Sequence, residues 1–112
     1  MASSNLRIPP KPDNCELCGR SMSNLTQHHL IPRTRHRNKR IQKQFSRAEM
    51  LTRILWLCCP CHSHIHTVLS EKELASQFNN RTALLQHPDI HRFVEWLARR
   101  PAGFKPHVKR VR

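Results

Sequence analysis

The chain contains no tyrosine and only six aromatic residues, four Phe and two Trp, so an aromatic-rich core is excluded. It also lacks a long hydrophobic run. The longest, Ile54 to Cys59, falls far short of the ~20 apolar residues a membrane-crossing helix needs. The opening Met-Ala-Ser-Ser-Asn-Leu-Arg has no apolar stretch of the kind a secretory leader carries. Acids are scarce, with seven Asp and Glu against twenty Lys and Arg and a formal charge of +13. There is no internal repeat. These absences predict a single soluble domain of 112 residues, placed in the cytoplasm, with a modest core and no affinity for the bilayer interior. In that compartment thiols stay reduced, so the five cysteines read as metal ligands rather than as a disulfide framework.

Their spacing carries that reading. Cys15-Glu-Leu-Cys18 and Cys58-Cys-Pro-Cys61 are two Cys-x2-Cys knuckles. Each presents two thiolates from one tight turn, and together Cys15, Cys18, Cys58 and Cys61 complete the sulfur tetrahedron that structural Zn2+ prefers. Such a staple contributes about 10–16 kcal/mol in small finger peptides, more than the usual net stability of a small domain. Cys59 is left over and reads as a small buried hydrophobe.

The histidines between and after the knuckles are free for a second task. His62 and His66 are four apart, on one face of any helix that runs from Pro60. Both imidazoles can then grip one divalent cation while a neighbouring strand brings a third ligand. His28 and His29 are adjacent on a strand and point to opposite sides, so one can bind the ion while the other faces a substrate.

The positive charge is clustered. Arg33, Arg35, Arg37, Lys39, Arg40, Lys43 and Arg47 lie within fifteen residues that contain no acid, and Arg99, Arg100, Lys105, Lys109, Arg110 and Arg112 follow the last carboxylate, Glu95. A polyanion partner follows, because each neutralised phosphate releases condensed counterions. His36 lies in the first cluster, within reach of a phosphate. His87, His91 and His107 read as surface residues and His64 as solvent-facing. Trp56 and Trp96 read as core.

Local signals place these groups on elements. Residues 1–13 carry three prolines and read as a flexible arm; 14–69 form the metal-binding core, 70–100 C-terminal helices and 101–112 a basic tail. Leu25 to Ile31 is a strand ended by Pro32, and Arg33 to Lys43 an exposed loop. Ser46 with Glu49 has capping-box spacing for a helix near Arg47. Arg53 to Leu57 is a second strand, and a helix runs from Cys61 to about Leu69. Ser70 with Glu73 caps a helix through Phe78, and Pro88 starts a last helix whose Ile90, Phe93, Val94 and Leu97 form an apolar stripe.

Gln27-His-His-Leu-Ile-Pro32, Leu57-Cys-Cys-Pro-Cys-His62 and the closing His66 resemble the HNH (ββα-metal) nucleases over roughly Cys15 to His66. The resemblance implies an α+β domain, a zinc-stapled ββα-metal core with flanking C-terminal helices, that hydrolyses DNA phosphodiesters with low sequence specificity and leaves a 5′ phosphate. It implies that His28, His62 and His66 hold a divalent cation (Mg2+, Mn2+, Ni2+ or Zn2+) and that His29 is the general base. The family's asparagine before the second strand is replaced by Arg53, whose guanidinium suits a scissile phosphate. Arg33, Arg35, Arg37, Lys39, Arg40 and Lys43 would grip the DNA backbone, and no small-molecule cofactor is expected. A zinc-containing nucleic-acid-binding module without catalysis is the alternative, and a purely structural basic protein a third reading.

Overall fold

The computed structural model describes residues 7–106. Residues 1–6 of the arm and 107–112 of the tail, with His107, Lys109, Arg110 and Arg112, lie outside the described residues. Strand β1 (Thr26–His29) leads through a 3-10 turn (Arg33–Arg35) to α1 (Lys39–Gln44) and α2 (Arg47–Thr52). Strand β2 (Ile54–Leu57) returns antiparallel to β1, with His28 opposite Leu55 and His29 opposite Ile54. Helices α3 (Cys59–Val68), α4 (Glu71–Ser76), α5 (Arg81–Gln86) and α6 (Pro88–Ala98) follow. Among the described residues this is a mixed α/β fold with one two-stranded sheet and six α-helices. No described helix is long and apolar enough to cross a membrane.

The sheet forms because β2 is fully apolar and β1 is pinned at both ends. The hydroxyl of Thr26 donates to the carbonyl of Leu57 (3.0 Å), and the amide of Leu30 donates to the carbonyl of Arg53 (3.0 Å). Trp56 turns its backbone away from β1 and exchanges hydrogen bonds with Glu16: its amide donates to Oε2 (2.7 Å) and its carbonyl accepts from the Glu16 amide (2.9 Å). Glu16 lies inside the first cysteine knuckle, so this exchange delivers Cys15 and Cys18 to the strand that ends at Cys58. The knuckle closes on Gly19, whose φ of +79° is costly for any side chain.

Helix starts are set locally. Both predicted capping boxes form: Ser46 and Glu49 at α2, Ser70 and Glu73 at α4, each with reciprocal side-chain to backbone bonds of 2.9–3.1 Å. Helix α3 begins two residues earlier than expected because Pro60, whose missing N–H costs nothing in the first turn, is taken inside it. Helix α5 was not anticipated. Asn80 is its cap, accepting from the Ala83 amide (2.8 Å).

The largest departure is at Arg33 to Lys43, expected as an exposed loop. It contains the 3-10 turn and α1, because Asn38 caps the amides of Arg40 and Ile41 (3.0 and 3.2 Å). Ile41 is then buried with Ile31, Met50 and Ala75 in a small second core, while Arg33, Arg37, Lys39, Arg40 and Lys43 remain exposed. One isoleucine is enough to anchor a short, highly charged helix.

The main core joins the cysteine knuckles to Leu55, Leu57, Ile65, Leu74 and Leu84 and to the predicted α6 stripe, with Ile90, Val94 and Leu97 buried and Phe93 partly so. Three expectations fail here. Cys59 is exposed, since Cys58 and Cys61 take the inward directions of the first α3 turn. Trp96 lies on the outer side of α6, beneath the Arg100 guanidinium (4.8 Å) and beside Phe104. His64 stacks flat on Phe93, with ring centroids 4.0 Å apart, instead of facing solvent. Trp56 is half-buried against the main core, and its indole N–H donates to the carbonyl of Pro9 in the arm (2.9 Å).

Candidate metal centres

The four knuckle sulfurs converge. All four cysteines are buried and their Sγ atoms lie within 4.8 Å of one another. Cys18 and Cys58 are 3.8 Å apart, which matches the ~3.8 Å edge of a sulfur tetrahedron built with Zn–S bonds of ~2.3 Å and is far beyond a disulfide's ~2.05 Å. Backbone amides of Leu17 and Cys58 donate to Cys15 Sγ (3.5 and 3.4 Å). Cys18 is pushed far down in pKa by hydrogen bonds from Cys15, Cys58 and Cys61, while Cys58 and Cys61 are pushed up, chiefly by theirs to Cys15 and Cys18. Against an upward push from Cys18, hydrogen bonds from Cys58 and Cys61 bring Cys15 down as well, to about 6. Two thiolates are thus favoured in the cluster and four together repel. A divalent cation removes that repulsion, and the donor set fits a structural metal ion such as zinc.

Arg20 completes this centre and was missed in the sequence. Its side chain is buried, with Nη2 3.7 Å from Cys58 Sγ and Nη1 donating to the carbonyls of Pro101 (2.8 Å) and Phe104 (3.0 Å). A four-thiolate zinc site carries net negative charge, and a buried guanidinium offsets it. The only available signal was a basic residue two positions after Cys18.

A second group is formed by His28 from β1 and by His62 and His66 from α3, with candidate ligand nitrogens within 4.8 Å of one another and ring centroids 5.2–5.5 Å apart. His28 is fully buried, and neither of its ring nitrogens has a hydrogen-bond partner. An orphaned buried polar group costs about 1–3 kcal/mol, and a bound cation is a partner that removes this cost. Burial first, then His62, His66 and His29, push His28 down to about 3, and burial with His66 and His29 brings His62 to about 4. Both are therefore neutral near pH 7, the state in which imidazole binds a metal.

His62 is held in one tautomer by its neighbour. Its Nδ1 lies 2.8 Å from Thr26 Oγ1, whose proton is committed to the Leu57 carbonyl. The network therefore assigns Nδ1–H as donor and leaves Nε2 as the free lone pair. Thr26 was also not singled out from the sequence; a threonine two positions before His28, opposite Leu57 in the sheet, gives no local signal of this role.

His29 stands apart from this trio, as strand alternation demands. It is half-buried and, with Gln27, Arg33, Thr34, His62, His66 and Glu71, lines an open pocket of about 260 Å³. Burial first, then Arg33 and His36, hold its imidazole below the usual histidine range. Arg53 does not line this pocket. Its Nη2 donates to the Asn79 carbonyl (3.0 Å), its Nη1 is 3.9 Å from Glu49, and its guanidinium lies over Phe45.

The remaining sequence candidates divide. Arg33 and Arg37 border a hollow with Phe45 and Arg47, whereas Arg35, Lys39 and Arg40 border a separate one with Lys72. Lys43 is exposed beside them. His36 bonds the Ile31 carbonyl through Nε2 (2.7 Å), His87 caps α6, and His91 pairs with Glu95 on the surface.

One curated relative, described as the uncharacterized protein YisB of Bacillus subtilis (strain 168), is 38% identical over 87 residues, covering 78% of this chain and 75% of the relative. No family model matches the chain, and no solved structure matches it.

Proposed function

We propose, for a chain that belongs to the same family as YisB, a divalent-metal-dependent endonuclease of the HNH ββα-metal type that hydrolyses DNA phosphodiesters with little sequence preference. The observation that supports this reading is the division of labour at the β1 histidines: His28 turns inward to His62 and His66, while His29 opens into the pocket that His62 and His66 also line. A cation bound by His28, His62 and His66 would supply Lewis-acid stabilisation of charge on the phosphate and the departing oxygen.

The chain's own residues do the rest. Neutral His29 accepts a proton from an attacking water, a role typically worth about 10²–10⁴-fold. The water oxygen bonds to phosphorus, the bond from phosphorus to the 3′ oxygen breaks, and the products are a 5′ phosphate and a 3′ hydroxyl that takes its proton from solvent. Thr26 keeps His62 in the ligating tautomer. Arg33, on the pocket wall, faces the phosphate charge. Arg53 is a positioning residue: through the Asn79 carbonyl it braces the start of β2, opposite His29. Arg35, Arg37, Lys39, Arg40 and Lys43 contact the DNA backbone, which positions a duplex without reading its bases.

Supercoiled plasmid with Mg2+, Mn2+ or Ni2+ tests the reading. Wild type is expected to nick or linearise it, and His29→Ala to lose at least 100-fold, about the low end of general-base contributions. If both proteins retard the plasmid on a gel and neither cuts it, the chain is a zinc-containing nucleic-acid-binding module.

A further inference from the structure

Beyond the 3-10 turn lies a larger hollow of about 590 Å³, which shares Arg33 and Thr34 with the histidine pocket and so adjoins it. Arg33, Arg37 and Arg47 line it, over apolar surface from Phe45, Met50 and Leu51, and none of its lining residues is an acid. The arginines are exposed, whereas Phe45 is half-buried and held in place: it packs against the small core of Ile31, Ile41, Met50 and Ala75, and the Arg53 guanidinium lies 5.1 Å from its ring centroid without itself lining the hollow. His36 is fixed as a further wall by its bond to the Ile31 carbonyl.

A hollow of this size is within the ~300–1,000 Å³ of ordinary small-molecule sites. Its chemistry is that of a nucleotide: an aromatic and aliphatic surface for a base, and guanidinium groups for the flanking phosphates. Backbone contacts alone would need only the cations. In a paired duplex both faces of each base are covered by stacking, so a base can meet Phe45 only if it is unpaired or turned out of the helix.

We infer that this hollow binds an unpaired DNA nucleotide next to the phosphate held at the histidine pocket. The preferred substrate is therefore single-stranded DNA or a duplex carrying a gap or flap, rather than uniform duplex. The adjacency to a cut phosphate rests on the endonuclease reading; the binding preference does not.

Fluorescence anisotropy with the full-length His29→Ala chain, which spares the probe, measures it. Labelled single strand, gapped duplex and uniform duplex of the same sequence are compared at one salt concentration. The single strand and gapped duplex are expected to bind about tenfold more tightly than uniform duplex, and Phe45→Leu, which keeps the apolar fill, to remove about tenfold from the first two while changing the duplex less than twofold. Arg47→Gln should weaken all three, as a phosphate contact does. Equal affinity for all three probes, or a Phe45→Leu effect shared equally by the duplex, overturns the proposal. Thermal melting of each variant identifies a loss caused by unfolding, in which case Phe45→Met provides the same comparison. A wild type that cuts plasmid but shows no preference sinks this inference alone; a preference without cutting leaves the hollow standing and removes the endonuclease.

Discussion

Thr26 is the residue on which the histidine trio turns. Its hydroxyl spends its one proton on the Leu57 carbonyl and so accepts from His62 Nδ1. Thr26→Val keeps the shape and removes the acceptor. Such outer contacts are typically worth about 10–100-fold in metal affinity, so competition against a chromophoric chelator should show a loss in that range, recovered by Thr26→Ser. An unchanged affinity would mean that packing alone orients His62. Arg20 plays the corresponding part at the cysteine centre. Arg20→Met removes its bonds to Cys58 and to the carbonyls of Pro101 and Phe104. Zinc transfer to a chelator should accelerate several-fold, and amide exchange at Ala102, Gly103 and Phe104 should rise with it. Acceleration without faster exchange would show that the arginine acts on the sulfur only.

At the scale of elements, short helices here stand on their caps. Helices α1, α2, α4 and α5 have six residues each, too few to persist alone. Ser46→Ala breaks the α2 box and is expected to cost about 1 kcal/mol in denaturant unfolding. At α4, the Ser70 backbone N–H first, then its hydroxyl, hold the Glu73 carboxyl below the usual value near 4.5. A depressed folded-state pKa adds stability that is present above the unfolded value and lost as pH falls through the folded one. The melting-temperature gap between wild type and Glu73→Gln should therefore be full near neutral pH and close on the acid side; a gap that persists in acid rules out the carboxylate as its cause. The boxes were legible because Ser-x2-Glu spacing is a local code. Helix α1 was not, because its one buried residue, Ile41, finds Ile31, Met50 and Ala75 only after the chain has folded back.

Over the whole molecule the cysteine centre joins parts distant in sequence. Cys15 and Cys18 sit on a turn bonded to β2, Cys58 and Cys61 open α3, and Arg20 reaches residues 101–104. Removing the metal with a strong chelator should abolish the cooperative melt, since about 10–16 kcal/mol of binding exceeds what a domain of this size holds in reserve. Retention of a sharp transition after verified zinc loss would show that the apolar core suffices. Helix α3 carries Cys61 of one cluster and His62 and His66 of the other, so chelation is also expected to abolish any histidine-bound metal.

The sequence by itself determined the paired knuckles, the i, i+4 spacing of His62 and His66, the opposite facing of His28 and His29, the two Ser-x2-Glu capping boxes and the α6 stripe, because each is a matter of neighbours within four positions. It also set the sign of the surface. Only the tertiary structure decided that Glu16 locks the first knuckle onto β2, that Thr26 and Arg20 support the two centres, that Arg53 is braced by Asn79, and that Cys59, His64 and Trp96 lie where they do. Those contacts join residues up to 84 positions apart, and no periodicity records which distant carbonyl a side chain will meet once the core has closed.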